Sequence, residues 1–544
     1  MPKKTMDNAA DMAKTIADFY GAALKRPDQM MTQYMAFLQD SFSALTGQSD
    51  IQPARGDKRF ADPIWQSNPV YKVMMTSYLS WCNHMNDWVD SLDVEGRDKL
   101  RAKFLTSLLT DTMAPTNTLV GNPAAMKTTL EKGGSNLVDG AKQLIEDMVH
   151  NNGLPSMVDK SKFKVGENLG TTEGAVIYRD DLLELIQYKP QTAKVYKRPI
   201  FIVPPQINKF YIWDLSPGRS VVEYLLGQGH QVFVVSWRNP HEEHGDWGMD
   251  DYVQALDRAT EVACDITKSK DLNMVGACSG GITASLLLAY WAAKGIERAN
   301  SHTQLVAILD VAGAKDTAMG LFANFETLEL ARMFSRSKGI LPGKDLQRAF
   351  AWLRPNDLIW AYWVNNYLLG NEPPAFDILY WNADTTNLPG KLHSDMIKLL
   401  EQGGLKKGNS WRIADIDIRL DDVTCDKFIL GGTADHITPW EGCYQSMHGF
   451  GGKNEFVLSQ SGHVQAIINP PGNPRARFMT NLGEHDTPEA FKAGAETNEG
   501  SWWDYWATWL GERGEGQKAA PKSLGNKAHA PIMAAPGSYV FEEA

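Results

Sequence analysis

The chain has 544 residues, 43% of them hydrophobic and 22% charged, with a net charge of −11. This globular composition is large enough for one extended core with accessory segments; it excludes a fibrous or low-complexity protein and a general nucleic-acid binder, which needs a basic footprint. The five cysteines, Cys82, Cys264, Cys278, Cys425 and Cys443, lack C-x-x-C spacing, so neither a disulfide framework nor a zinc site is expected and a reducing, cytoplasmic compartment fits.

The first residues run into polar and acidic positions instead of an apolar signal core, and no run of about 18 apolar residues occurs; neither a leader nor a transmembrane helix is expected. Residues 1–180 read as a mainly helical N-terminal domain. Met12, Ile16, Phe19, Tyr20 and Ala23 recur at helical spacing, as do Met30, Tyr34, Phe37, Leu38 and Phe42. A link at 49–63, rich in Asp, Gly, Pro and Arg, leads to a second helical block at 71–113. The amphipathic N-terminal helices suit either an apolar surface or partner, or packing within their own domain.

From 181 to 544 the pattern is that of an α/β catalytic domain. Short apolar runs at 183–188, 199–203, 231–236, 272–275 and 305–310 read as strands, with helices between them at about 218–228, 249–268 and 282–292. This β-α-β alternation indicates a parallel sheet covered on both faces. It stops near Ala314. Residues 315–415 are helix-like and aromatic, with Trp352, Trp360, Tyr362, Trp363, Tyr367, Tyr380 and Trp381, and read as a helical cap insertion. Strand signals resume at 427–430 and 455–458, and 501–510 read as a tryptophan-rich helix packed on the core.

The pentapeptide Gly276-Ala277-Cys278-Ser279-Gly280 lies between the apolar run 272–275 and a helix. It has the G-x-S-x-G layout of a nucleophile elbow, with cysteine in place of serine. The glycines allow strand and helix backbones to crowd around a strained turn. Cysteine narrows the chemistry. An acyl group moving from a thioester to Cys278 remains a thioester, so capture is nearly balanced in energy, and passing it to an alcohol runs downhill to an ester.

Two further elements follow in order. Asp435 lies just after the strand run 427–430, and His463 lies just after 455–458. The order nucleophile, acid, histidine is that of α/β-hydrolases. His463 is read as the general base for Cys278, with His436 as its nearest competitor, and Asp435 as the group that orients or polarises a partner. An oxyanion hole needs two backbone N–H donors. Ser279 is the first candidate. The second comes from the loop 203–208, where Pro204 and Pro205 have no N–H, leaving Gln206 or Ile207.

With these residues in place, the chain resembles the polyhydroxyalkanoate synthases, most closely the type II, medium-chain-length group. The matching segments are 203–211 (VPPQINKFY), 236–240 (SWRNP), 276–281 (GACSGG), 353–360 (LRPNDLIW), 367–374 (YLLGNEPP), 435–440 (DHITPW), 461–463 (SGH) and 469–474 (NPPGNP), and the resemblance runs from about Gly56 to the C-terminus. It implies an α/β-hydrolase core with a mobile cap, preceded by a helical domain. It implies polymerisation of (R)-3-hydroxyacyl-CoA into polyester with release of CoA, on Cys278 as acyl carrier, with His463 as base and Asp435 activating the incoming 3-hydroxyl, alone or through His463. It further implies no metal and no other cofactor, a homodimer, and a cytoplasmic location at the surface of polyester granules with their associated proteins. Lys209, Arg238 and Arg354 are candidate neighbours of the CoA phosphates. Two other functions share these residues or this fold: a cysteine-dependent acyl-CoA thioesterase or esterase, and a non-catalytic granule scaffold.

Overall fold

The structure is a computed structural model that describes residues 21, 26–94, 96–310, 320–321, 325–483 and 485–544. The helix expected around Met12, Ile16, Phe19, Tyr20 and Ala23 lies outside the described residues, as does the start of the expected insertion at 315–319. The chain divides into two compact units: Met1–Asp159 with Arg348–Phe376, and Lys160–Gln347 with Asp377–Ala544. No helix among the described residues is long and apolar enough to cross a membrane.

The first unit is helical. The expected helices appear as Pro27–Leu45, Pro69–Ser91 and Gly96–Thr112, followed by Ser135–His150. Pro27 and Pro69 sit in the first turns of their helices, where no N–H is needed. His84 fastens Pro69–Ser91 to Pro27–Leu45 through Gln33 at 2.8 Å and Asp40 at 2.9 Å. Residues 348–376, inside the stretch read as a cap, belong to this unit. There Trp363 Nε1 donates to the Asn117 carbonyl at 3.1 Å, and the Tyr367 hydroxyl donates to Asp147 at 2.6 Å. These aromatics are held by the N-terminal helices, and their polar ends need such partners once buried.

The second unit has the α/β-hydrolase fold. Among the described residues its main sheet has eleven strands: β1 Gly174–Arg179, β2 Leu183–Tyr188, β3 Pro199–Val203, β4 Gln231–Trp237, β5 Leu272–Ala277, β6 Ala299–Leu305, β7 Asp426–Gly432, β8 Asn454–Ser459, β9 Arg477–Thr480, β10 Glu496–Glu499 and β11 Met533–Ala534, in the order β10-β9-β8-β7-β6-β5-β3-β4-β2-β1-β11. From β4 to β8 neighbouring strands are parallel, and both flanks are antiparallel. Alternate side chains enter two cores. Phe201, Phe233 and Met274 face one with the helices Met249–Thr267 and Ser279–Lys294. Ile200, Val234 and Val275 face the other with the helices Val221–Gly227 and Trp502–Glu512. The tryptophan-rich helix is packed on the core as expected, with Trp502, Trp503, Trp506 and Trp509 buried.

One strand departs from its sequence reading. The apolar run 305–310 was expected to be β6, yet β6 is the polar stretch just before it, Ala299–Leu305. Two of its buried polar side chains are paired: Ser301 Oγ donates to Asn273 at 2.8 Å, and Thr303 accepts from Trp506 Nε1 at 2.9 Å. A satisfied polar group can sit in a core, so hydrophobic periodicity alone misplaced the strand. After Leu305 the chain turns at Val306, with φ +44°, and the Leu309 and Asp310 amides are taken up by Ser446 Oγ.

Candidate active site

The site is built where β5, β7 and β8 end on the same edge of the second unit. Cys278 is the single residue between β5 and the helix Ser279–Lys294, at φ 50° and ψ −125°. A positive φ at a residue with a Cβ is strained, of order 1–3 kcal/mol. The turn is held by Cys278 N donating to the Leu305 carbonyl at 3.0 Å, and by the Cys278 carbonyl accepting from Gly281 N at 3.0 Å and Ile282 N at 3.2 Å. The glycines make room for it. A Cβ on Gly280 would lie 2.4 Å from the carbonyl oxygens of Val203 and Pro204, and one on Gly276 would lie 2.7 Å from Gly281 Cα.

Asp435 and His463 are brought together by sheet register. Parallel pairing sets Gly432 of β7 opposite Ser459 of β8, and the loops beyond stay joined through Thr433 N to the Ser459 carbonyl at 2.9 Å and Ala434 N to the Ser461 carbonyl at 3.0 Å. His463 Nδ1 then lies 2.7 Å from Asp435 Oδ2. Cys278 lies near enough to His463 to add to the proton affinity of the ring. Burial alone would lower the proton affinity of His463. The Asp435 charge and hydrogen bond, followed by Cys278, outweigh burial and raise it from 6.5 to about 10. Burial would raise Asp435, but His463 and the Thr438 donors overcome it and hold this carboxyl below its usual range. Asp435 Oδ1 accepts from the amides of Ile437 and Thr438, both at 2.9 Å, so the carboxylate has donors on both oxygens.

His436, the sequence competitor for the base, is half-buried and follows Asp435 in the chain, and it is the His463 ring that meets Asp435 at 2.7 Å. On the oxyanion side, Ser279 N opens the elbow helix. The Gln206 amide, one of the two candidates for the second donor, donates to Ser279 Oγ at 3.2 Å. Sequence reasoning missed what fixes this loop. Thr386 donates its hydroxyl to the Gln206 carbonyl at 2.7 Å and its amide to the Ile207 carbonyl at 3.3 Å. Asx- or Ser/Thr-type turn signals do not reveal such a distant clamp. Lys209 and Arg238, considered for CoA phosphates, are occupied within the protein: Lys209 is buried with its ammonium on the Glu542 carbonyl, and Arg238 pairs with the Glu542 carboxylate at 3.2 Å. Arg354, in the first unit, pairs with Asp357.

Residues 56–225 match the family described as Poly-beta-hydroxybutyrate polymerase (PhaC) N-terminus, and residues 199–470 match alpha/beta hydrolase fold. The chain is 48% identical over 520 residues to poly(3-hydroxyalkanoate) polymerase 1 of Ectopseudomonas oleovorans, covering 96% of this chain and 92% of that protein. It is 44% identical over 532 residues to polymerase 2 of the same organism, covering 98% and 94%. It is 37% identical over 532 residues to the poly(3-hydroxyalkanoate) polymerase subunit of Cupriavidus necator, covering 95% and 89%.

Because the folded-state value of His463 lies above 6.5, its pairing with Asp435 stabilises the fold fully below pH 6.5 and loses that contribution as pH rises through about 10. Asp435→Asn removes the main raising influence and leaves burial opposed only by Cys278, so His463 should titrate well below its wild-type value. Histidine NMR titrations of the variant, with His463→Gln to assign the resonance, check this; a value left near 10 contradicts it.

Proposed function

This chain belongs to the poly(3-hydroxyalkanoate) polymerases, and from that premise we propose that Cys278 carries the growing acyl chain as a thioester while His463 moves the protons and Asp435 orients His463. The observation that carries this reading is the His463–Asp435 pair, 2.7 Å apart, set at the same sheet edge as the strained Cys278 elbow. The substrate is a (R)-3-hydroxyacyl-CoA, and the resemblance to the type II group supports a medium-chain side chain.

The steps balance as follows. The Cys278 sulfur, its proton already held on His463, attacks the thioester carbon of the acyl-CoA. The amides of Ser279 and Ile207 face the developing oxyanion. The C–S bond to CoA breaks, and the proton passes from His463 to the leaving sulfur, giving free CoA and acyl-Cys278. In the second step His463 takes the proton of an incoming 3-hydroxyl, whose oxygen attacks acyl-Cys278. An ester forms, the Cys278–acyl bond breaks and the proton returns to the thiol. His463 suits both steps. Part of what raises its proton affinity comes from Cys278. Acylation removes that part, so the ring is a strong proton holder before capture and a freer base afterwards.

We also propose that the enzyme works as a homodimer at the surface of its polyester. The helix Pro27–Leu45 supports the surface contact: Met31, Met35, Leu38, Phe42 and Leu45 recur every three to four residues and are all exposed, Phe42 at 66%.

Wild type given a medium-chain (R)-3-hydroxyacyl-CoA should release CoA and yield polymer, and Cys278→Ala should release CoA at least about 1,000-fold more slowly, the scale of losing a covalent nucleophile. Polymer from Cys278→Ala would overturn the assignment of the acyl carrier. CoA release from wild type with only free hydroxy acid would favour the thioesterase function. For the surface contact, Met35→Lys with Phe42→Lys should keep the initial rate of CoA release but leave the enzyme in the supernatant when polymer is sedimented. Co-sedimentation at the wild-type level would remove that role from the helix, and gel filtration of both proteins reports the dimer.

A further inference from the structure

Among the described residues, Thr438 is the one hydroxyl in contact with both members of the acid–base pair. Its Oγ1 lies 2.8 Å from Asp435 Oδ2 and 3.0 Å from His463 Nδ1, and Nδ1 to Oδ2 is 2.7 Å. The three atoms form a nearly equilateral triangle that holds two hydrogens, one on Thr438 and one on His463 Nδ1. Asp435 Oδ2 as a carboxylate oxygen can only accept, so both hydrogens are drawn to it. Thr438 also donates its amide to Oδ1 of the same carboxylate at 2.9 Å.

The hydroxyl is fixed from behind. Thr438 precedes Pro439, which restricts its backbone to extended conformations, and its β-branch limits χ1. Its carbonyl accepts from Cys443 Sγ at 3.5 Å, from the helix Trp440–Met447 packed beneath the loop. Thr438 and Asp435 are both buried, so water does not compete for the carboxylate from this side.

We propose that Thr438 is a positioning residue for the polymerase reaction: by occupying the second acceptor position of Asp435 Oδ2, it sets the hold of Asp435 on His463 Nδ1–H and keeps Nε2 turned to Cys278. The inference rests on the Cys278–His463–Asp435 reading above. Without the hydroxyl, Oδ2 keeps more of its negative charge for His463 alone, and the ring gives up its proton less readily. The other titratable groups near this triangle are Cys278 from the elbow, His436 beside Asp435, and Cys443 and Glu441 from the helix Trp440–Met447. None of them carries a hydroxyl or amide able to replace the donor that Thr438 supplies.

The test is the pH dependence of kcat in wild type, Thr438→Val, Thr438→Ser and Cys278→Ala. Thr438→Val keeps the shape and removes the donor. Its rising limb should move up by roughly half to one pH unit, the scale expected for one hydrogen bond to a charged group. At pH 7 kcat should fall about 3- to 10-fold with KM unchanged, and the deficit should close as pH rises. Thr438→Ser should return the limb to the wild-type position. Thr438→Ala, which adds no methyl group, serves if the valine variant fails to fold. An unshifted or downward-shifted limb, whatever the change in thermal stability, overturns the inference while leaving the triad intact. Activity in Cys278→Ala overturns the underlying reading instead.

Discussion

Cys278 has to turn the chain from the end of β5 into a helix within one residue, and that demand shapes everything around it. A positive φ at a non-glycine residue persists only where neighbours leave no alternative. Here β5 is enclosed between β3 and β6, and the elbow helix is packed so closely that Gly276 and Gly280 have no space for a Cβ. Strain of order 1–3 kcal/mol is small against the buried Met274, Val275, Leu286 and Leu287 on either side, each contributing about 1.5–3 kcal/mol when fully buried. The turn puts Cys278 at the sheet edge, with Ser279 opening the helix that follows. It also fixes where the other parts must be. β7 lies next to β6 and β8 next to β7, so Asp435 and His463 are brought together from strand ends whose spacing is set by the sheet.

A thiol at that position makes the protein suited to transfer. The acyl group passes between two thioesters without a large step in energy, and the downhill step is kept for ester formation. His463 is then required to hold a proton in one half of the cycle and accept one in the other. Its proton affinity is raised by Asp435 first and by Cys278 to a smaller degree. The loop after β3 is also held in place: Thr386 and Ser279 fix the backbone at Gln206.

Much of this was readable from the residues, because each functional side chain follows an apolar strand and stands at a sharp turn. Gly276 to Gly280, Asp435 and His463 announce themselves by that context. What escaped reading is held by side-chain pairing across long sequence distances. β6 is polar and buried because Asn273 and Trp506 satisfy it, and no periodicity signals that. The aromatics Trp363 and Tyr367 read as parts of a cap, yet their hydrogen-bond partners are Asn117 and Asp147 in the N-terminal segment. Lys209 and Arg238 looked available to phosphate, and only the path of the C-terminus shows that Glu542 meets both. Thr438 sits where an ordinary turn after Asp435 is expected; its second contact, to His463, comes from a residue 25 positions away.

The most direct measurement of the central claim uses a medium-chain acyl-CoA that lacks the 3-hydroxyl, so that an acyl-enzyme can form and cannot be elongated. After incubation and digestion, mass spectrometry should find the acyl group on the peptide carrying Cys278, with one CoA released per acylated chain and strongly reduced labelling in His463→Ala. Acylation at Cys82, Cys264, Cys425 or Cys443, or CoA release with no acylated cysteine in rapidly quenched samples, would contradict the account.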